Sequence, residues 1–257
     1  MDAGTFDIVF AAVAGLACGF LNTVASSGSA VSLPILMAIG LDPLTANATN
    51  RLPVLVGAVS ATGSFQRRKA VPWRLALKAC IPVTIGAALG AVIAEFVPAR
   101  DLALLITGAV LFALIMLFTK VTAAIASAAA HEPRYGAREM LMLFGIGIWL
   151  GFIVLDGATY LLLALTLAVG LPITGANAVK SVILIPTSLV AVVLFAADGV
   201  IDWRVGAVLA VGSVAGGLLG ARLASSEAAK VWVYRILVFV IVAELAHLAL
   251  HYAFDTA

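Results

Sequence analysis

The stretch Gly40-Leu41-Asp42-Pro43-Leu44-Thr45-Ala46-Asn47-Ala48-Thr49-Asn50-Arg51 decides how this chain is read, because it returns 130 residues later as Gly170-Leu171-Pro172-Ile173-Thr174-Gly175-Ala176-Asn177-Ala178-Val179-Lys180-Ser181. Gly40-Leu41 falls on Gly170-Leu171, and Ala46-Asn47-Ala48 on Ala176-Asn177-Ala178. The same offset carries Trp73-Arg74 onto Trp203-Arg204, and Gly86-x-x-x-Gly90-Ala91 onto Gly216-x-x-x-Gly220-Ala221. Matches of Ala or Leu are cheap in an apolar chain, but matched Trp-Arg, Asn and Gly pairs at one constant offset are not. The sequence therefore reads as one unit written twice.

Composition says where that unit lives. Of 257 residues, 63% are hydrophobic and only 11% are charged, against roughly 25% charged in an ordinary soluble domain. Mean hydropathy is +1.17. A soluble globule or a disordered chain would need far more polar surface. The 15 Lys and Arg against 13 Asp and Glu leave a net charge of +2 and no dense basic patch, so no nucleic-acid partner is expected. The fold class expected is an all-α polytopic membrane protein. The first residues, Met1 to Phe10, carry Asp2 and Asp7 but no Lys or Arg. They lack the basic start of a signal peptide, so the first helix is expected to remain in the mature protein.

Hydrophobic runs between polar, Pro and Gly breaks give helices over 6–25, 29–40, 44–65, 73–96, 100–122, 138–156, 159–170, 174–197, 203–224 and 228–250. Two of them, 29–40 and 159–170, are too short to span a bilayer and read as half-helices or re-entrant pieces. They also fall on each other under the offset. About five segments per half is an odd number, so the second copy enters the membrane upside down, as in inverted-repeat transporters. The expected organisation is a first transmembrane repeat over 1–125, a cytoplasmic connecting loop over 126–137 and a second repeat over 138–257. Charge placement agrees. Arg67, Arg68 and Lys69, the loop containing Arg134, and the region of Arg222, Lys230 and Arg235 share one side, which the Lys/Arg bias makes cytoplasmic. Both termini then lie outside. Re-entrant pairing of the short helices would give the same bias.

The residues able to carry chemistry cluster at the breaks. Asn47, Asn50 and Arg51 open the helix over 44–65, and Asn177 and Lys180 stand near the matching positions. An ionised side chain at the bilayer centre costs roughly 2.5–3.5 kcal/mol on insertion scales. Such a residue is usually paired or lines a polar cavity; the alternative is a cation that snorkels to the interface from a helix end. The second cluster is Asn22-Thr23-Val24-Ala25-Ser26-Ser27-Gly28-Ser29, a Ser/Gly break before the first short helix. Hydroxyls, backbone N–H groups and the positive end of the next helix at Ser26, Ser27, Gly28 and Ser29 suit an anion. The plainer reading is an ordinary loop. Asp156 takes the place of Ser26 in the second half. It is read either as a buried carboxylate that pairs with Arg51 or Lys180 or carries a proton, or as a solvent-facing helix end.

Other signals are weaker. Glu244, His247 and His251 share a helix face but lack a fourth ligand, so no metal is expected. Cys18 and Cys80 read as small core residues. Pro34, Pro53, Pro82 and Pro186 lie inside apolar runs and are expected to kink helices. Gly86, Gly90, Gly216 and Gly220 read as close helix contacts. No nucleotide loop, nucleophile–base set or Cys cluster is present in the sequence, so neither an enzyme nor a resident cofactor is expected.

The run Gly19-Phe20-Leu21-Asn22-Thr23-Val24-Ala25-Ser26-Ser27-Gly28-Ser29, followed by Leu33-Pro34, Gly40-Leu41-Asp42-Pro43 and Ala46-Asn47-Ala48-Thr49-Asn50-Arg51, resembles the first half of the TauE/SafE family of membrane proteins. Val71-Pro72-Trp73-Arg74 fits as well. The second half matches through Gly170-Leu171-Pro172, Ala176-Asn177-Ala178 with Lys180, and Val200-Ile201-Asp202-Trp203. The resemblance implies a secondary transporter of small sulfur-containing anions, such as sulfite, thiosulfate or organosulfur acids, in the cell inner membrane. The second half departs from the family's Gly-rich string at Asp156-Gly157-Ala158-Thr159. In this reading Arg51 and Lys180 compensate the anion's charge. Ser26, Ser27, Gly28 and Ser29 bind it, and Asn22, Asn47, Asn50, Asn177 and Asp156 complete the pocket. The expected partners are the anion and the lipid bilayer, with a homodimer left open. A passive anion channel and a carrier of non-sulfur organic anions are the alternatives.

Overall fold

The computed structural model describes residues 3–24, 28–118, 134–155 and 157–223. Among the described residues the chain is helical throughout, with no strand. In order, the helices are α1 (Ala3–Val24), α2 (Ser29–Ala38), α3 (Pro43–Thr49), α4 (Arg51–Arg67), α5 (Trp73–Phe96), α6 (Ala99–Phe118), α7 (Ala137–Phe152), α8 (Gly157–Leu163, continued by a π-helical turn Ala164–Ala168), α9 (Ile173–Ala197) and α10 (Trp203–Leu223). The segment expected over 228–250 lies outside the described residues.

Local chemistry sets the ends of the matched segments. Gly40 and Gly170 both take positive φ, +98° and +88°, the left-handed stop that only glycine adopts cheaply. After the first stop, Asp42 caps α3 by accepting from the N–H groups of Leu44 and Thr45, each at 3.1 Å, and Pro43 occupies the first helical position.

One expected element is different. The single helix over 44–65 is two, α3 and α4, interrupted at Asn50. Pro53 has no N–H to donate to Thr49, and its ring would crowd that carbonyl. In the second half Ile183 stands where Pro53 stands in the first, and α9 runs unbroken from Ile173 to Ala197. Pro186 lies within α9 without dividing it.

Packing crosses between the halves. Helix α1 lies against α10, α5 against α7, α4 against α10, and α9 against α5 and α4. Under the 130-residue offset α1 corresponds to α7 and α5 to α10, so the pairs α1–α10 and α7–α5 are the same contact made twice. Both are backbone-close. A Cβ on Gly86 or Gly90 would meet the carbonyl oxygen of Phe144 or Ile148, and one on Gly147 or Gly151 that of Val83 or Ala87. In the other pair, Gly15 and Gly19 face Leu209 and Ser213, while Gly212 and Gly216 face Ala12 and Leu16. Small residues in place of side chains let helices touch where lipid supplies no hydrophobic drive.

The outer surface is apolar. Leu77, Ile81 and Ile85 of α5 are about three-fifths exposed, at 58%, 63% and 58%. Val193 on α9 and Val211 on α10 also face outward. Helices α5 and α9, at 24 and 25 residues, are long and apolar enough to cross a bilayer. An apolar exterior of this extent has no place in water and suits lipid.

Candidate functional site

The site is built where α7 ends. A helix C-terminus leaves its last carbonyls without intrahelical donors and carries partial negative charge. Arg51, the first residue of α4, answers both needs. Its Nη1 donates to the carbonyl of Leu150, and its Nη2 donates to that of Gly151 at 2.6 Å. Its Cζ lies 5.8 Å from the centre of the Phe195 ring, within cation–π range. Asn47, one turn earlier, holds the unwound segment that follows. Its Nδ2 donates to the carbonyl of Phe152 at 2.8 Å, and its Oδ1 accepts from Val154 N–H at 3.0 Å. Arg51 is 2% exposed, so it does not snorkel. Its Nε–H is buried and has no hydrogen-bond partner among the described residues.

The first break is tied in a related way. Asn22 Oδ1 accepts from Gly28 N–H at 2.9 Å. A Cβ on Gly28 would strike the carbonyl of Cys18 and the Asn22 side chain. Ser32, one turn into α2, donates to Asn50 Oδ1 at 2.7 Å, which links the first break to the Asn50–Arg51 junction. Asn50 Nδ2 is buried without a partner among the described residues.

Between the two breaks lies a narrow cavity with about 20 Å³ of space for water centres, enough for one water. Asn22, Ser29 and Arg51 line it on the first-half side, with Leu150, Val154 and Ala158 opposite. Thr187 and Ser188 of α9 close it. Ser29 is the first residue of α2 and Ala158 lies in the first turn of α8. Two helix starts, two hydroxyls of α9 and one buried guanidinium thus border the same space. That arrangement attracts negative charge.

The structure brings Asn22, Ser29 and Arg51 to one cavity, with Gly28, Asn47 and Asn50 supporting it from behind. It does not bring Lys180 and Asn177 there. Lys180 is 5% exposed, and its Nζ donates to Asn177 Oδ1 at 2.9 Å. Asn177 Nδ2 donates to the Ile173 carbonyl within α9 at 3.1 Å. Neither residue lines the cavity, although Lys180 stands one helical turn before Leu184, which does. Ser26, Ser27 and Asp156 lie outside the described residues, as do Glu244, His247 and His251. Cys18 is buried and Cys80 half-buried, both as free thiols.

Sequence reading passed over Thr187, Ser188 and Ser32. A signal for the first two was present, since Pro186-Thr187-Ser188 places two hydroxyls beside a proline inside an apolar run. The Leu150 and Gly151 carbonyls carry no signal, because backbone groups are the same in every residue.

These features define a membrane protein of apolar helices with a buried cationic site at their breaks. The profile of the sulfite exporter TauE/SafE family matches residues 11–247. The chain belongs to that family, whose members are membrane transporters. The probable membrane transporter protein YfcA of Escherichia coli K12 is 28% identical over 213 residues, covering 82% of this chain and 78% of the relative. A probable membrane transporter protein of Haemophilus influenzae is 27% identical over 239 residues, covering 88% and 89%. The probable membrane transporter protein ORF9 of a Sinorhizobium species is 26% identical over 227 residues, covering 87% and 85%. No solved structure matches the chain.

Proposed function

We propose that this protein is a secondary transporter of small sulfur-containing anions, such as sulfite, thiosulfate or organosulfur acids, across the cell inner membrane. In this reading its two halves, residues 1–125 and 138–257, are inverted repeats joined by a cytoplasmic loop. The pairing of α1 with α10 and of α7 with α5 supports that symmetry. The anion's place is the cavity between the breaks, which has room for one water in this state and widens as the halves move. The observation that carries this reading is Arg51: an almost wholly buried guanidinium with an unpartnered Nε–H, lining a cavity bordered by two helix starts. Arg51 supplies charge, while Ser29, Thr187 and Ser188 supply hydroxyls, and Asn22 supplies an amide. Ser26, Ser27 and Gly28 belong to the same reading as donors of hydroxyls and backbone N–H groups to the anion. Asn47 and Asn50 hold the junction from which Arg51 projects. Lys180, with Asn177, is a second cation one turn away along α9, and Asp156 is the group for a coupling proton. Movement of one half against the other opens the cavity alternately to each side, driven by the substrate or proton gradient.

The choice of sulfur rests on the family's name. Counterflow in proteoliposomes tests it. Vesicles preloaded with sulfite, thiosulfate, sulfoacetate, acetate or chloride are offered a labelled sulfur anion. Accumulation driven by sulfur anions and not by acetate supports the proposal. Equal exchange with acetate overturns the substrate class, and current without saturation or countertransport replaces the carrier by a channel.

A further inference from the structure

A second cavity, which shares no lining residue with the first, lies at the start of α5. It is an open groove of about 530 Å³ lined by Trp73, Arg74, Lys78 and Tyr135 together with Pro72, Leu75 and Leu171. Two cations and no carboxylate are among its described lining residues. The walls are fixed: Trp73 Nε1 donates to Gln66 Oε1 at 2.8 Å, and the Tyr135 hydroxyl donates to the Lys78 carbonyl at 3.1 Å. Arg74 and Lys78 are four residues apart on one helix face. That face continues at Ile81 and Ile85, both well exposed, with Leu77 beside them. A positively charged groove with two aromatic residues therefore opens directly onto a bare apolar stripe.

We propose that this groove binds the phosphate headgroup of one anionic phospholipid, whose acyl chains lie along Leu77, Ile81 and Ile85. Trp and Tyr settle at the level of lipid headgroups, and Lys and Arg at that level attract anionic lipid. Arg67, Arg68 and Lys69 precede the groove, which places it at the cytoplasmic leaflet by the Lys/Arg bias. The chain carries its own comparison. The repeated pair Trp203-Arg204 also starts a helix with both residues exposed, but Val208 stands where Lys78 stands in the first copy. The second cation belongs to one copy alone, so packing of the repeated unit does not require it.

Native mass spectrometry of the purified full chain in detergent tests the site with dioleoylphosphatidylglycerol and dioleoylphosphatidylcholine as probes. Each surface cation near anionic lipid is worth about 1 kcal/mol, so two predict a preference for the anionic lipid of roughly thirtyfold. R74Q/K78Q brings that preference close to parity, K78V lowers it by roughly fivefold, and R204Q leaves it unchanged. Millimolar glycerol 1-phosphate does not displace the bound lipid. Equal binding of both lipids by the unaltered protein, or an equal loss in R204Q, overturns the proposal. Displacement by glycerol 1-phosphate makes the groove a site for free phosphate esters and overturns it as well. Should the double variant fail to melt cooperatively, K78V decides alone. Transport does not enter this measurement, so its outcome stands apart from that of the counterflow assay.

Discussion

Arg51 Nη2 donates to the carbonyl of Gly151 at 2.6 Å, so a cation from the first half closes the end of a helix in the second. The guanidinium thereby has two duties. Its Nη groups hold the C-terminus of α7, and its side chain lines the cavity with an Nε–H that has no partner among the described residues. Under the proposed function, binding and stability are coupled at this residue, which its place in the sequence does not reveal.

Arg51→Ala is expected to lower stability as well as transport. Hydrogen bonds to a charged group contribute about 1.5–3 kcal/mol each, and two are lost, so a destabilisation of about 3–6 kcal/mol follows. Arg51→Lys keeps the charge but not the planar fork and should fall between. Thermal melting in detergent reads this. An Arg51→Ala protein as stable as the parent would show that the clamp on α7 is dispensable.

Thr187 and Ser188 offer a cleaner probe of the cavity. Thr187 donates to the Ile183 carbonyl within its own helix, a bond its hydroxyl exchanges for one to the anion in the proposed site, so Thr187→Val leaves α9 intact. Ser188→Ala removes the other hydroxyl. The double variant is expected to raise KM for the transported anion by roughly tenfold, from about 1 kcal/mol or less per lost hydrogen bond, with its melting temperature nearly unchanged. An unaltered KM in a folded double variant places the anion elsewhere.

Asn47 and Asn177 are sequence equivalents with unequal work. Asn47 makes two bonds across the halves, to Phe152 and Val154, while Asn177 bonds within α9. Asn47→Ala should therefore destabilise by about 2–3 kcal/mol and Asn177→Ala by about 1 kcal/mol or less. Parallel melts of the two variants compare them, and equal losses would contradict the asymmetry.

Gly90→Ala and Gly151→Ala each push a methyl group into a facing backbone carbonyl of the α5–α7 pair. Either should cost about 2 kcal/mol or more, as overpacking does. Gly63→Ala meets open space in α4 and should stabilise by about 0.5–1 kcal/mol through helix propensity. Opposite shifts in melting temperature are the expected result.

Much of the helix map was legible, because long apolar runs and glycine stops are local signals. The Gly40 and Gly170 stops and the α5 and α9 boundaries fell within a few residues of expectation. The break at Asn50 was harder: Pro53 was read as a kink within one helix, whereas the structure ends α3 at Thr49 and starts α4 at Arg51. The buried state of Arg51 was one of two readings the sequence left open. Its partners were not legible, since they are carbonyls of residues 99 and 100 positions away. Thr187 and Ser188 were visible as polar atoms, but a helix has several faces, and only its packing against α4 and α5 decides which one meets the cavity.

By itself, the sequence determined that the chain lives in lipid, repeats one unit and concentrates polar groups at two breaks. Those are properties of composition and of spacing along one strand of text, and local physics enforces them. Only the tertiary structure decided that α1 packs on α10 and α7 on α5, and that Arg51 rather than Lys180 borders the cavity between the breaks. Both depend on how close two backbones can come. Glycines scattered across the chain set that distance together, and no window of sequence contains them all.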